Sequence, residues 1–481
     1  MKKILICILF STGISSKAMQ YFNPQTYVSS TDYISIVKVC FEKSSTTISL
    51  CLKKDSVGKV RFSSNMYLSN MKGERFPVRN SEMLDTPITI NSDTVIDLRF
   101  PPIAKGRDVI DLIDPNSIGL YGIHDVSYEM IIPDAGQGHI DRENINGIYQ
   151  NALTTIKGRL INPAANDGNT KMLYLRYSDL SPNLDNAKDG RCCIQQDGSF
   201  SMTLNLDHPV WAVICDDKMQ KIGWNIFIRP GDHISFCADE KNKWKESVIE
   251  NASGKETFHT LMNNYPGDIM ESTTSLLRKI GPEMYLQHID SLFQQRMRMF
   301  KYISWKYSFN ETEKSLYYNK IIFDRDYYRL WVYTTIESEK QYYNYFHEYS
   351  YPEFAALMTS RQDFSVIRDL NPVNPVYFMY NSFYSFCQLM RNVQFMRDLN
   401  NKYFISDNGF LDCIVEQNDM LNKYTEWNGM SYFMQYIAIM EAQEGFLKTQ
   451  EVDSFLESFS KLPNIHPLIH YYTQIIYNSR H

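Results

Sequence analysis

Neither Cys-x-x-Cys nor Gly-x-Ser-x-Gly occurs anywhere in the 481 residues. The first absence argues against a dithiol redox centre, the second against the nucleophile elbow of an α/β-hydrolase. No long run carries one sign of charge and the formal net charge is only −6, so nothing points to nucleic acid or an anionic membrane surface as partner. Beyond the first residues no apolar run is long enough to cross a bilayer as a helix. No period of fixed length marks a solenoid. The pattern calls for no cofactor and no resident metal.

What is present begins at the N-terminus. Lys2-Lys3 precedes the apolar run Ile4 to Phe10, and small polar residues then lead to Ser16-Lys17-Ala18. This is the charged, apolar and small-residue order of a secretory signal peptide, read here as residues 1–18. Cys7 lies inside the apolar core rather than after a lipobox, so the expected product is exported and not lipid-anchored, with a periplasmic or cell-surface location. Export leaves eight cysteines in a compartment where disulfides persist.

From residue 27 to 130 short alternating runs, punctuated by Gly, Asn and Asp, predict a first antiparallel β-sandwich. Its opening hairpin sets Val37, Val39 and Phe41 against Ile48, Leu50 and Leu52. With Ser44 opposing Thr47, Phe41 faces Leu50, Lys38 faces Lys53 and Cys40 falls opposite Cys51. Residues 131–153 read as a linker. A second antiparallel β-sandwich is expected over 154–250, centred on the stretch Ile226 to Phe236, IFIRPGDHISF. There Pro230 presets the first turn position and Gly231 supplies the positive φ of a type II turn, predicting a strand, a tight corner and a return strand. From 251 to 481 the apolar period lengthens to three and four residues, predicting an all-α domain. Pro282 marks a helix start, and separate helices are read at Glu311 to Asn319 and Asp324 to Tyr345. The fold class is therefore α+β: two antiparallel β-sandwich modules followed by a helical domain.

Five groups are candidates for chemistry or binding. Cys40 and Cys51 can form a cross-strand disulfide or remain two separate thiols. Cys192-Cys193, read in a turn after Asp189-Gly190-Arg191, offers a strained vicinal disulfide or two neighbours on opposite faces of a strand. His466 and His470 stand four apart but have no acidic residue between them to serve as a base, so a zinc-protease site fails. His139, Asp141 and Glu143, with Asp134, fall short of the converging oxygens a calcium loop usually takes, and read as a solvated linker in preference. Tyr342, Tyr343 and Tyr345, in the richest of several aromatic clusters, can line a groove for a peptide or glycan, or pack as core and boundary residues.

Taken in order, several motifs resemble the N-terminal, non-catalytic region of exported TlpA-type thiol–disulfide oxidoreductases of the Bacteroidota. In the first module these are Leu98-x-Phe100-x-Pro102, Ile110-Asp111-Leu112-Ile113-Asp114 and Tyr121-Gly122-Ile123. In the second, which looks like the domain called DUF4369, they are Ile156-Lys157-Gly158-Arg159, Asp197-Gly198-Ser199-Phe200 and Pro230-Gly231-Asp232, followed by Ser253-Gly254-Lys255-Glu256. The family's thioredoxin-like domain has no counterpart here, since Cys387 and Cys413 stand alone in helical context. The resemblance implies a non-enzymatic binding or scaffold protein, working beside a separate thioredoxin-like protein or another cell-envelope protein. A divergent thiol enzyme using isolated cysteines such as Cys387, and a glycan or peptide binder, are the alternatives.

Overall fold

The structure, a computed structural model, describes residues 19–22, 24–54, 59–79, 83–103, 109–114, 118–136, 152–161, 171–177, 188–206, 209–215, 221–239, 248–250 and 280–346, with 261, 277, 386 and 389. It is mostly antiparallel sheet followed by helix, an α+β chain, and divides into two compact units, Met1–Ile131 and Ile132–His481. Among the described residues no helix is long and apolar enough to cross a membrane.

The first unit holds β1 (Met19–Phe22), β2 (Gln25–Ser29), β3 (Ile34–Phe41), β4 (Thr46–Leu52), β5 (Lys59–Val60), β6 (Tyr67–Ser69), β7 (Arg75–Pro77), β8 (Ile88–Thr89), β9 (Thr94–Phe100), β10 (Ile110–Asp114) and β11 (Ile118–His124). They form sheets of order β1-β3-β4-β9 and β2-β11-β10-β6-β7, with β5 and β8 as a small pair. Alternation along β4 and β9 sends Ile48, Leu50, Leu52, Ile96, Leu98 and Phe100 into one core with Leu68, Leu112 and Leu120 of the other sheet. Each such aliphatic side chain, fully buried, contributes roughly 1.5–3 kcal/mol.

The β3–β4 hairpin departs from its expected register. Glu42 N–H donates to Ser45 O at 2.8 Å, so Lys43 and Ser44 form the tip and Phe41 faces Thr46. A bulge between Ile36 and Lys38 then turns Val37 outward, 41% exposed, while Ile34 and Ile36 face the core. The turn lies two residues earlier than the pattern suggested. That displacement is an even number of residues, so it keeps Val39 and Phe41 on the buried face and is invisible to apolar alternation.

The second unit holds β12 (Ala152–Ile161), β13 (Met172–Tyr177), β14 (Lys188–Cys193), β15 (Ser199–Leu206), β16 (Val210–Cys215), β17 (Lys221–Ile228), β18 (His233–Asp239) and β19 (Val248–Glu250). Their sheets run β15-β12-β18-β19 and β14-β13-β16-β17 and share one core. Three expectations fail here. The β12–β18 pair is parallel, not antiparallel. The Arg229-Pro230-Gly231-Asp232 corner is not a hairpin: β17 belongs to one sheet and β18 to the other, so the corner carries the chain across the core. Alternation alone cannot separate the two outcomes, because Ile226, Ile228, Ile234 and Phe236 face the same core either way. Asp189-Gly190-Arg191 likewise lies within a strand rather than a turn. A Cβ on Gly190 would lie 2.4 Å from a Leu204 methyl, so this glycine serves close packing.

Two helices follow, α1 (Pro282–Lys306) and α2 (Glu311–Phe346). Gly281, at φ 78°, precedes Pro282 at the predicted start. The two helices read at Glu311 to Asn319 and Asp324 to Tyr345 are one, because residues 320–323 carry no breaker and continue its buried face through Ile321 and Phe323. Asn310 and Glu313 form a reciprocal capping box at its start: Glu313 N–H donates to Asn310 Oδ1 and Asn310 N–H to Glu313 Oε2, both at 2.9 Å.

Candidate functional site

Six of the resemblance motifs fall among described residues, some at register shifts and turns and others within regular ladders. In the first unit the β10–β11 register shifts between Ile110 and Leu112, and Gly122 takes φ 67°. Asp111, wholly buried, accepts the Gly122 N–H at 2.8 Å, and His124 Nδ1 contacts the Gly122 carbonyl at 2.6 Å. Asp114, also buried, accepts the Ser63 N–H at 2.9 Å. A buried backbone donor outside the ladder needs such a partner. Leu98 and Phe100 fill the core, and Ile103, just past Pro102, donates its N–H to the buried Thr46 hydroxyl at 3.0 Å.

In the second unit three motifs converge. Gly158 on β12 faces Phe200 on β15 and Phe236 on β18, where a Cβ would lie 1.8 Å from the Phe236 carbonyl oxygen. The Phe200 and Phe236 rings lie 6.4 Å apart. Arg159 Nε donates to Asp197 O at 2.9 Å, and Leu160 N–H to Gly198 O at 2.8 Å. The type II geometry expected at Pro230-Gly231 is present, with Gly231 at φ 83° and Asp232 N–H donating to Arg229 O at 3.1 Å. Thr154 pins this corner. Its buried hydroxyl donates to Arg229 O and accepts the Gly231 N–H, both at 3.0 Å.

The thiols are dispersed. Cys40 faces Thr47 and Cys51 faces Ser35, and neither is in a disulfide. The bridge required the register that the early turn replaces. Cys192 and Cys193 lie on opposite faces of β14, the first in the core and the second exposed, with no vicinal disulfide. Burial, reinforced by the neighbouring Cys193, pushes the Cys192 thiol up to about 11, the reverse of what a reactive thiolate needs. Tyr342, Tyr343 and Tyr345 fall in the last turns of α2, and their side chains lie outside the described residues. His139, Asp141, Glu143, Cys387, Cys413, His466 and His470 lie wholly outside them. No group of three or more His, Cys, Asp or Glu is clustered for a metal among the described residues.

Among the described residues, a cluster of paired charges joins the two helices, and apolar patterning passes over it. Buried Arg296 on α1 reaches Asp324 Oδ2 on α2 at 3.2 Å, and Lys320 donates to the other oxygen of the same carboxylate. Arg325 pairs with buried Asp326 at 2.8 Å and stacks 4.8 Å above the Phe293 ring. One carboxylate bridging two cations is a clamp between helices; removing a partner from such a buried pair costs about 3–5 kcal/mol. Phe300 stacks on Tyr317 nearby, and burial pushes the Tyr317 hydroxyl well above the usual phenol range, against the pull of Arg296. The sequence signal was available: Arg296 stands in the stripe of Tyr285, Ile289, Phe300 and Ile303, where only a paired charge is tolerated.

No family model matches the chain, and no curated protein or solved structure matches it significantly.

Proposed function

We propose that the chain is an exported, non-enzymatic binding or scaffold protein of the cell envelope. In this reading it is kin to the accessory region of TlpA-type thiol–disulfide oxidoreductases, with each pair of sheets a β-sandwich and the region from 251 a helical recognition domain. The observation that carries the proposal is the interlocking of Gly158, Phe200, Phe236, Arg159 and Gly198. These motif residues are committed to holding backbone in place, as a scaffold requires. The raised Cys192 thiol and the dispersal of the described cysteines over β3, β4, β14, β16 and β18 support the same reading. We assign recognition to the aromatic end of α2 at Tyr342, Tyr343 and Tyr345, and the partner to a separate thioredoxin-like protein or another envelope protein.

Alkylation kinetics of the intact chain test this. Slow labelling of every cysteine near pH 6 is expected. Rapid labelling of any one, Cys387 first among them, overturns the non-enzymatic reading in favour of a thiol enzyme. Peptide and glycan arrays probed with the wild type and a Tyr342→Ala, Tyr343→Ala, Tyr345→Ala variant test the recognition surface, which is abandoned if the two bind alike.

A further inference from the structure

We propose that the outer face of β14–β13–β16 binds a soft monovalent cation, Cu(I), through Cys193 Sγ and Met172 Sδ. The two residues are direct cross-strand partners, and their sulfurs lie 3.4 Å apart. Cys193 is exposed and Met172 half-buried, so a cation reaches the pair from solvent without unfolding the sheet. A third sulfur, that of the buried Cys215, is on this side of the sheet. Cys215 on β16 pairs with Tyr174, two residues along β13 from Met172 and on the same side, which makes it the diagonal neighbour of Met172. The adjacent Cys192 points the opposite way, into the core, and takes no part.

The donor set chooses the ion. A thiolate and a thioether are soft ligands that favour Cu(I), whereas Ca(II), Mg(II) and Mn(II) want oxygen and Zn(II) draws its ligands from Cys, His and carboxylates. The Cys193 thiol gives up its proton as the metal–sulfur bond forms, with no change in oxidation state, so binding releases protons and weakens at low pH. This site is independent of the proposed scaffold role.

The test is an anaerobic titration of the reduced full chain with Cu(I), against a chromophoric Cu(I) chelator, with Ag(I) as an air-stable check. One tightly held equivalent is expected, not displaced by Zn(II). Met172→Leu and Cys193→Ser should each weaken it by at least roughly tenfold, the low end of what even outer-sphere changes cost metal sites. Neither change touches the core, and tryptophan fluorescence of the metal-free variants verifies that the fold is kept. The proposal is overturned if Met172→Leu binds like the wild type, which would reduce the site to a solitary thiol, or if Cys193→Ser binds undiminished.

Discussion

The two β regions hold their backbone at tight points inside a packed core with different chemistry. In the first, carboxylates bracket the stray amides: Asp111 at the Gly122 bulge and Asp114 at Ser63. In the second, close approaches are made possible by the absence of a side chain at Gly158 and Gly198, and the sheet-crossing corner is held by the Thr154 hydroxyl. A bracket made of a hydrogen bond fails when its acceptor is removed; one made of empty space fails when a methyl is added. The two regions should therefore break under opposite kinds of substitution.

Within this comparison the largest effect is expected at Gly158. Its added Cβ would strike the Phe236 backbone, which moves only if the β12–β18 pair separates. Gly158→Ala should cost roughly 3 kcal/mol, the upper range for overpacking a core. All six tryptophans lie at 211 or beyond, so their fluorescence reports unfolding of the second unit alone. Gly119→Ala in the first unit sharpens the contrast, since its Cβ meets the Tyr121 ring at 2.3 Å rather than backbone. A Gly158→Ala midpoint equal to the wild type's would show that the close approach is not needed to hold the second region.

The converse change is Asp111→Ala, which leaves Gly122 N–H buried without its carboxylate. Leaving a buried donor unsatisfied costs about 1–3 kcal/mol, and the loss should fall on the first unit only. Hydrogen exchange at Gly122 should accelerate while tryptophan fluorescence is unmoved. Unchanged exchange at Gly122 would mean that the bulge is held by packing, and the comparison between the regions would lose its chemical basis.

Much of this was legible in the residues, within a clear physical limit. Strand positions such as Thr94–Phe100, Met172–Tyr177, Ser199–Leu206 and Val210–Cys215 follow from period-two alternation and turn residues. Pairing does not. Alternation reports which face of a strand is buried and not which strand lies beside it, so the β3–β4 register, the parallel β12–β18 pair and the sheet-crossing Pro230-Gly231 corner were beyond it. Gly190 was misread because the same residue marks both turns and close packing. Of the candidate sites, the separation of Cys192 from Cys193 follows from strand geometry once β14 is in place. The Cys193–Met172 contact depends on which residue faces which, and only coordinates supply that.

The smallest expected effect is the response of the second region to alkali. The Cys192 thiol is raised to about 11 from 9.0 by burial first and Cys193 second. Below pH 9 the thiol is neutral in both folded and unfolded chains and its burial carries no ionisation penalty. Above that the unfolded thiol ionises while the folded one does not, so the stabilisation is progressively lost as pH climbs toward 11. Tyr285, raised to about 12 by burial, adds a loss of the same sign at higher pH. Tryptophan-detected denaturation midpoints should therefore fall from pH 9 upward, and Cys192→Ala should flatten the first part of that fall while leaving the Tyr285 part intact. Parallel curves for wild type and Cys192→Ala would mean that the thiol is hydrated in the folded chain, and that the core beside β14 is more open than its packing implies.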